Sequence, residues 1–297
     1  MTPTDPRAQA APLLDDAQTD RLAEVLRSPF EVLPQIPSTN DELVERAQRA
    51  ARRGQPLPDL SLLAAEHQSA GRGRLDRKWV TGPGDALTFS LLLRPAHGSG
   101  PTAVPLPTQS FPWLTVLLAA AIAQTLRAQG IEASLKWPND VLVETGSGSR
   151  KICGVLASLV VHDGSAPALV LGAGLNVAVA PEGAASVRGE GSEASRGDLL
   201  VEIAERFTAL YRLFAESPES LTGPGELRAA VEQLLSTLGR RVRAELPGGG
   251  VLEGTAVGLG PGGTLRVKHV TPDRGTIETE VSAGDVAHLR GDVHRGA

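Results

Sequence analysis

One stretch fixes the fold class more than any other. From Pro112 to Gln129 the residues Leu114, Leu118, Ile122 and Leu126 recur every four positions, with Leu117, Ala121 and Thr125 beside them, and Gly130 follows as a stop. That spacing makes a helix apolar over a broad face, which must be buried. Its apolar centre, Leu114–Ala123, is too short to span a bilayer. Three strand-like runs follow: Ile131–Trp137 with the return Val141–Val143, Lys151–Val161, and Ala168–Val177. Their hairpin-like spacing predicts a meander in a largely antiparallel or mixed sheet, with the helix packed on it. The expected class is α+β.

Other elements complete this layer. Phe30–Ile36, Ser61–His67 and Ala86–Leu93 read as strands. Thr39 with Glu42 three residues on reads as a capping box for a helix whose buried stripe is Leu43, Ala47, Ala50 and Ala51. Residues 95–111 are proline-rich and predict a surface connection. Asp198 is expected to cap a helix carrying Leu200, Ile203, Phe207, Leu210 and Phe214, and a further helix carries Leu227, Val231, Leu234 and Leu238. From Arg240 the period changes to that of short strands, Val242–Leu246, Val251–Leu259, Thr264–Val270, Thr276–Val281 and Val286–Arg290, separated by Gly and Pro turns. That pattern predicts a small barrel. The expected division is a flexible tail over 1–17, a main domain over 18–238 and a barrel over 239–297.

Residues 68–79, QSAGRGRLDRKW, hold four positive charges and one carboxylate, a local excess of three in a chain of net charge −5. Glycines let the backbone approach a ligand, arginines neutralise carboxylate or phosphate, and Trp79 offers a flat face for a base. The mild acidity argues against a general nucleic-acid binder. One cysteine excludes a disulfide framework, and Cys153, inside an apolar strand, reads as a small core residue. The six histidines at 67, 97, 162, 269, 288 and 294 lack metal-ligand spacing and read mostly as surface residues. No Walker sequence or Gly-x-Ser-x-Gly elbow occurs, and Gly172-Ala173-Gly174 lacks the third glycine of a dinucleotide fingerprint. The N-terminus has neither the basic start nor the apolar stretch of a signal peptide, so a cytoplasmic protein is expected.

Five motifs occur in order: Ser38-Thr39-Asn40; GRGR with Lys78-Trp79; Lys136-Trp137-Pro138-Asn139-Asp140; Lys151-Ile152-Cys153-Gly154; and Gly172-Ala173-Gly174-Leu175-Asn176. In these the chain resembles the catalytic half of biotin–protein ligases, over about residues 30–240, with the terminal strands extending the likeness to nearly 290. The resemblance implies a mixed sheet flanked by helices, of the class II synthetase-like, biotin/lipoate ligase type, followed by an SH3-like barrel. It implies ATP-dependent attachment of biotin to a lysine of a biotin carboxyl carrier protein through biotinyl-AMP, with ATP and Mg²⁺ required. By the same resemblance Arg72, Arg74 and Lys136 are the catalytic cations. Ser38, Thr39, Asn40, Gln68 and Gly73 join them around biotin. Gly71, Arg74, Trp79, Asn139 and Asn176 meet the adenylate, and Asp140 holds Mg²⁺. Trp137 is read as core.

Only about 30 residues precede the motifs, so no DNA-binding domain, and no membrane partner, is expected; a homodimer stays open. A lipoate ligase of the same fold and a biotin-responsive regulator are the alternatives. Two residues depart from the family pattern: Asp76, where glycine is usual, and Ser158, where glutamate is frequent. If Asp76 repels the nucleotide, Asp76→Gly tightens ATP binding in a titration; an unchanged or weaker affinity contradicts this.

Overall fold

The computed structural model describes residues 12–74, 77–95, 105–146, 148–161, 166–246, 250–282 and 286–288. Residues up to Ala11, Asp76, and the histidines at 97, 162 and 294 lie outside them; the rest of the tail expected over 1–17 is ordered, since Leu13 is buried in the core and Asp15 caps a helix that begins at Asp16. In chain order the elements begin with α1 (Asp16–Leu26), β1 (Phe30–Leu33), α2 (Thr39–Arg52), β2 (Ser61–Ala65), β3 (Gly71–Arg72), β4 (Lys78–Trp79) and β5 (Ala86–Leu93). Then come α3 (Phe111–Ala128), β6 (Ala133–Lys136), β7 (Asp140–Thr145), β8 (Gly148–Val160), β9 (Ala168–Asn176), α4 (Arg196–Glu216), α5 (Glu219–Thr222) and α6 (Glu226–Leu234). The last strands are β10 (Arg241–Glu245), β11 (Val251–Leu259), β12 (Leu265–Thr271), β13 (Gly275–Val281) and β14 (Val286–His288).

Seven strands form one sheet in the order β1-β2-β5-β9-β8-β7-β6. Only its β1–β2 pair is parallel. The meander expected from sequence is therefore antiparallel from β2 to β6. One face packs on α3, whose Trp113, Leu114, Leu117, Leu118, Ile122 and Leu126 are buried. By length and composition this helix is apolar enough to cross a membrane, but it is a buried core helix here, packed against α4 and the sheet. The other face carries α2 through Leu43 and Ala47, against Leu63, Leu92, Val160, Ala168 and Val170. Because α2 covers only part of that face, the neighbouring ends of β5, β8 and β9 stay open beside its N-terminus.

Two helix starts differ from the sequence reading. Ser38, not Thr39, is the N-cap of α2, and its Oγ accepts from the Asp41 amide at 3.2 Å. The Thr39 hydroxyl is drawn instead into a buried network. Ser195, not Asp198, caps α4. Asp198 sits inside the first turn, where bonds from Ser195 and then Gln18 hold its carboxyl below the usual range.

β3 and β4 pair only with each other, and the last five strands form another antiparallel sheet, β13-β12-β11-β10-β14. It docks on α3 and the end of β6 through two tryptophans. Trp113 Nε1 donates to the Pro261 carbonyl at 2.8 Å and Trp137 Nε1 to the Gly263 carbonyl at 2.9 Å. The Trp137 amide donates to Thr237 Oγ1 at 2.9 Å, and the same hydroxyl is hydrogen-bonded to His288 Nε2 at 3.0 Å. His288 is thus not a surface histidine: burial, with help from Lys136 and Arg240, pushes its pKa down to about 4. Cys153 is buried as expected, its thiol pushed up to about 12 by desolvation.

Trp137→Phe removes the indole donor and strands the Gly263 carbonyl. It is expected to lower the unfolding free energy by about 1–3 kcal/mol in a denaturant titration; an unchanged midpoint and slope contradict this docking.

Candidate active site

The open part of the sheet is floored by residues without side chains. Gly154 on β8 pairs directly with Gly174 on β9, and Gly172 lies two residues along the same face of β9. Each is filled by a neighbour. A Cβ at Gly172 would lie 2.9 Å from Asn40 Nδ2, one at Gly174 2.6 Å from the Trp79 ring, and one at Gly154 2.9 Å from Lys151 Nζ. The resulting cleft is narrow, with a cavity volume of about 60 Å³.

One end of the cleft is polar and uncharged. The first turn of α2 brings Ser38, Thr39 and Asn40 there, all buried. Gln68 Oε1 accepts from the Thr39 amide at 2.7 Å and from the Thr39 hydroxyl at 2.9 Å. The Thr39 hydroxyl lies 2.9 Å from Ser90 Oγ. Asn40 Oδ1 accepts from Ser158 Oγ at 2.7 Å. Donors and acceptors held this way are pre-organised for a neutral polar group.

The other end is cationic, and each cation rests on a local acceptor. Arg72 Nη1 is 3.1 Å from Asp41 Oδ1, Arg74 Nη1 is 3.1 Å from Asn139 Oδ1, and Lys151 Nζ is 2.7 Å from Asp140 Oδ1. Asn139 is itself fixed by donating through Nδ2 to the Val155 carbonyl at 2.9 Å. Trp79 closes the top with its ring on Gly174, and its buried Nε1–H has no acceptor among the described residues. The ion pairs of Arg72 and Lys151 are partly exposed and weak, and so are readily exchanged for a ligand anion.

The structure gathers Ser38, Thr39, Asn40, Gln68, Arg72, Gly73, Arg74, Trp79 and Asn139 around this cleft. Four expected residues lie elsewhere. Gly71 is buried in the β3–β4 hairpin, where a Cβ would meet the Trp79 carbonyl at 2.5 Å. Asn176 is buried at the end of β9, donating to the Ala185 carbonyl, with its Oδ1 unpartnered among the described residues. Asp140 does not line this cleft but an adjoining pocket, with Arg74, Trp79, Asn139 and Lys151, and its Oδ1 pairs with Lys151 Nζ. Lys136 ends the edge strand β6 on the side of His288 and does not line the cleft. Its place between the two ends is taken by Lys151, which the sequence reading left without a role. The signal was the glycine three residues on, since a side chain at Gly154 would occupy the space of the amine.

Among the described residues no three of His, Cys, Asp and Glu cluster, and the Asp140 carboxylate is committed to Lys151.

A mixed sheet with an attached small antiparallel sheet carries a cleft, neutral at one end and cationic at the other, that suits a small ligand with an anionic group. Residues 32–176 match the biotin/lipoate A/B protein ligase family. The chain is 34% identical to the biotin–[acetyl-CoA-carboxylase] ligase of Mycobacterium tuberculosis, covering 88% of this chain and 89% of that one. It is 31% identical to the bifunctional ligase/repressor BirA of Escherichia coli across 62% of this chain and 54% of that protein. Its fold is similar to that of the biotin protein ligase from Aquifex aeolicus solved with biotin and ATP, with TM-score 0.65, 26% identity, and coverage of 88% and 99%. The chain belongs to the biotin/lipoate A/B protein ligase family.

Gly154→Ala and Gly174→Ala are expected to displace Lys151 and Trp79, and to weaken ligand binding about tenfold or more, a cost of at least about 1.4 kcal/mol. Calorimetry checks this; wild-type affinity in both variants contradicts the glycine floor.

Proposed function

We infer that the protein is a biotin–protein ligase, which joins biotin at the expense of ATP to a lysine of a biotin carboxyl carrier protein. The observation that carries this is the polarity of one continuous cleft: neutral hydrogen-bonding groups at one end, three cations at the other. Biotin has the matching polarity, a ureido ring at one end and a carboxylate at the other. In this reading Ser38, Thr39, Asn40 and Gln68 take the ring. Arg72, Arg74 and Lys151 take the carboxylate and the α-phosphate, and Gly73 lets the loop backbone approach. Trp79, freed from Gly174, stacks on adenine, with Gly71 and Asn139 holding the loop and Asn176 behind it.

The chemistry requires these charges. A carboxylate oxygen attacks the α-phosphorus, the bond to the β-bridging oxygen breaks, and pyrophosphate leaves. Two anions repel as they approach, so fixed cations that meet the charge in the transition state lower the barrier. The lysine amine of the carrier then attacks the carbonyl carbon, AMP leaves, and the amine proton passes to solvent. Mg²⁺ enters this reading as an ion carried by the triphosphate. The domain division at 238 and 239, a cytoplasmic location and the absence of DNA binding belong to the same proposal. The last is supported by the acidic net charge of −5. A lipoate ligase remains the second reading within the family.

The test is incubation with ATP, Mg²⁺, a carrier domain and either acid, followed by mass spectrometry. The expected addition is biotin; addition of lipoate alone overturns the proposal. In the same assay Lys151→Gln is expected to slow adenylate formation about a hundredfold, on the order of 3 kcal/mol, whereas Lys136→Gln leaves it within a few fold. The reverse ranking restores Lys136 as the reacting cation.

A further inference from the structure

Successive residues of a regular strand face opposite ways, so Lys151 and Gly154 on β8 would lie on opposite faces of the sheet. Yet Lys151 Nζ lies 2.9 Å from where a Cβ of Gly154 would sit. An extra residue is the cause. Pairing with β7 runs Asp140 with Gly154 and Val141 with Cys153, then Leu142 with Lys151, which leaves Ile152 as the additional residue of a β-bulge. The chain neighbours Ile152 and Cys153 are accordingly both buried in the main core. Lys151 is turned to the face of Asp140 and Gly154, where a regular strand would point it at the core. A bulge disrupts the ladder around it, and this one is braced from the other side. The Ala185 amide donates to the Lys151 carbonyl at 2.8 Å, and Ala184 bridges Lys151 in parallel. The Ala185 carbonyl accepts from Asn176 Nδ2 at 3.0 Å. Further along the same loop, Glu190 Oε1 accepts from Arg150 Nη2 at 2.7 Å, and Arg150 is the residue before Lys151. The amides of Gly189 and Glu190 are tied back to Ser186 at 3.2 and 3.0 Å.

We propose that Arg150 and Glu190 are positioning residues that act through Lys151. Their ion pair clamps residues 184–190 along the bulge, and the clamp keeps the lysine amine on the cleft face. Neither residue lines the cleft or the pocket beside it. Arg150 lies opposite Val143 in the ladder, on the core side of the sheet. Both residues are half-buried. The proposal rests on the function inferred above, in which Lys151 meets the carboxylate and the α-phosphate. A cation displaced from the reacting oxygens lowers the rate of adenylate formation even where the ligands still bind.

The test is a double-mutant cycle, read in single turnovers of biotin and ATP to biotinyl-AMP with both ligands saturating. Arg150→Ala, Glu190→Ala and Glu190→Gln are made in wild type and in the Lys151→Gln background, each assayed below its measured melting midpoint. Arg150→Ala and Glu190→Ala are expected to slow adenylate formation about tenfold. Glu190→Gln keeps an acceptor for Arg150 and is expected to slow it only about twofold. In the Lys151→Gln background each change is expected to alter the rate by less than about twofold, because the group it positions is gone. If one alanine variant does not fold, the other carries the comparison. Slowing of the same size in both backgrounds overturns the proposal, since it shows an ion pair that serves only the fold. A wild-type rate in both alanine variants overturns it as well. A wild-type protein that forms no adenylate from biotin overturns the inferred function and this proposal together; one that forms it, with additive losses in the cycle, overturns this proposal alone.

Discussion

The site depends on a space that three missing side chains leave open. Gly154, Gly172 and Gly174 lie together on two central strands, on the face that α2 only partly covers. Any larger residue would fill the positions now held by Lys151, Asn40 and Trp79. A sheet built from Val, Leu and Ala elsewhere thus carries one bare patch, and polar groups from α2, the β3–β4 hairpin and β8 converge on it. Burial of those groups is costly unless they are paired. Within the cleft the pairing is nearly complete: Thr39 with Gln68 and Ser90, Asn40 with Ser158, and each cation with its acceptor.

A second constraint comes from the small sheet. Trp137 is held by Thr237 and by the Gly263 carbonyl, and the next residues along the turn are Asn139 and Asp140. Those two hold Arg74 and Lys151. Two of the three cleft cations are thus positioned by a turn that the small sheet fixes from behind. The docking of the second sheet is therefore part of the geometry of the first, and the half-buried His288 belongs to that joint.

Much of this is legible from the residues. The four-residue repeat of α3, the strand runs around it and the change of period after Arg240 give the α+β class and the second sheet, because burial imposes those periods directly. The motif order gathers most of the cleft, since each motif carries a residue type that the chemistry needs. What the sequence hides is direction. Thr39 and Glu42 have the spacing of a capping box, yet Ser38 caps because Thr39 is claimed by Gln68 and Ser90 across the chain. Lys136 and Lys151 are both lysines in strands beside the site. Which one faces the cleft depends on strand order, with Lys136 on the outermost strand and Lys151 beside the Gly154 gap. Ser158 reads as a departure until its bond to Asn40 is seen.

The most direct measurement is a crystal structure of the protein with biotin bound. The account places the ureido ring among Thr39, Asn40 and Gln68, and the carboxylate within hydrogen-bonding distance of Lys151 Nζ, with Trp79 lifted from Gly174. A carboxylate lying beside Lys136, or a ureido ring at the cationic end, would contradict it.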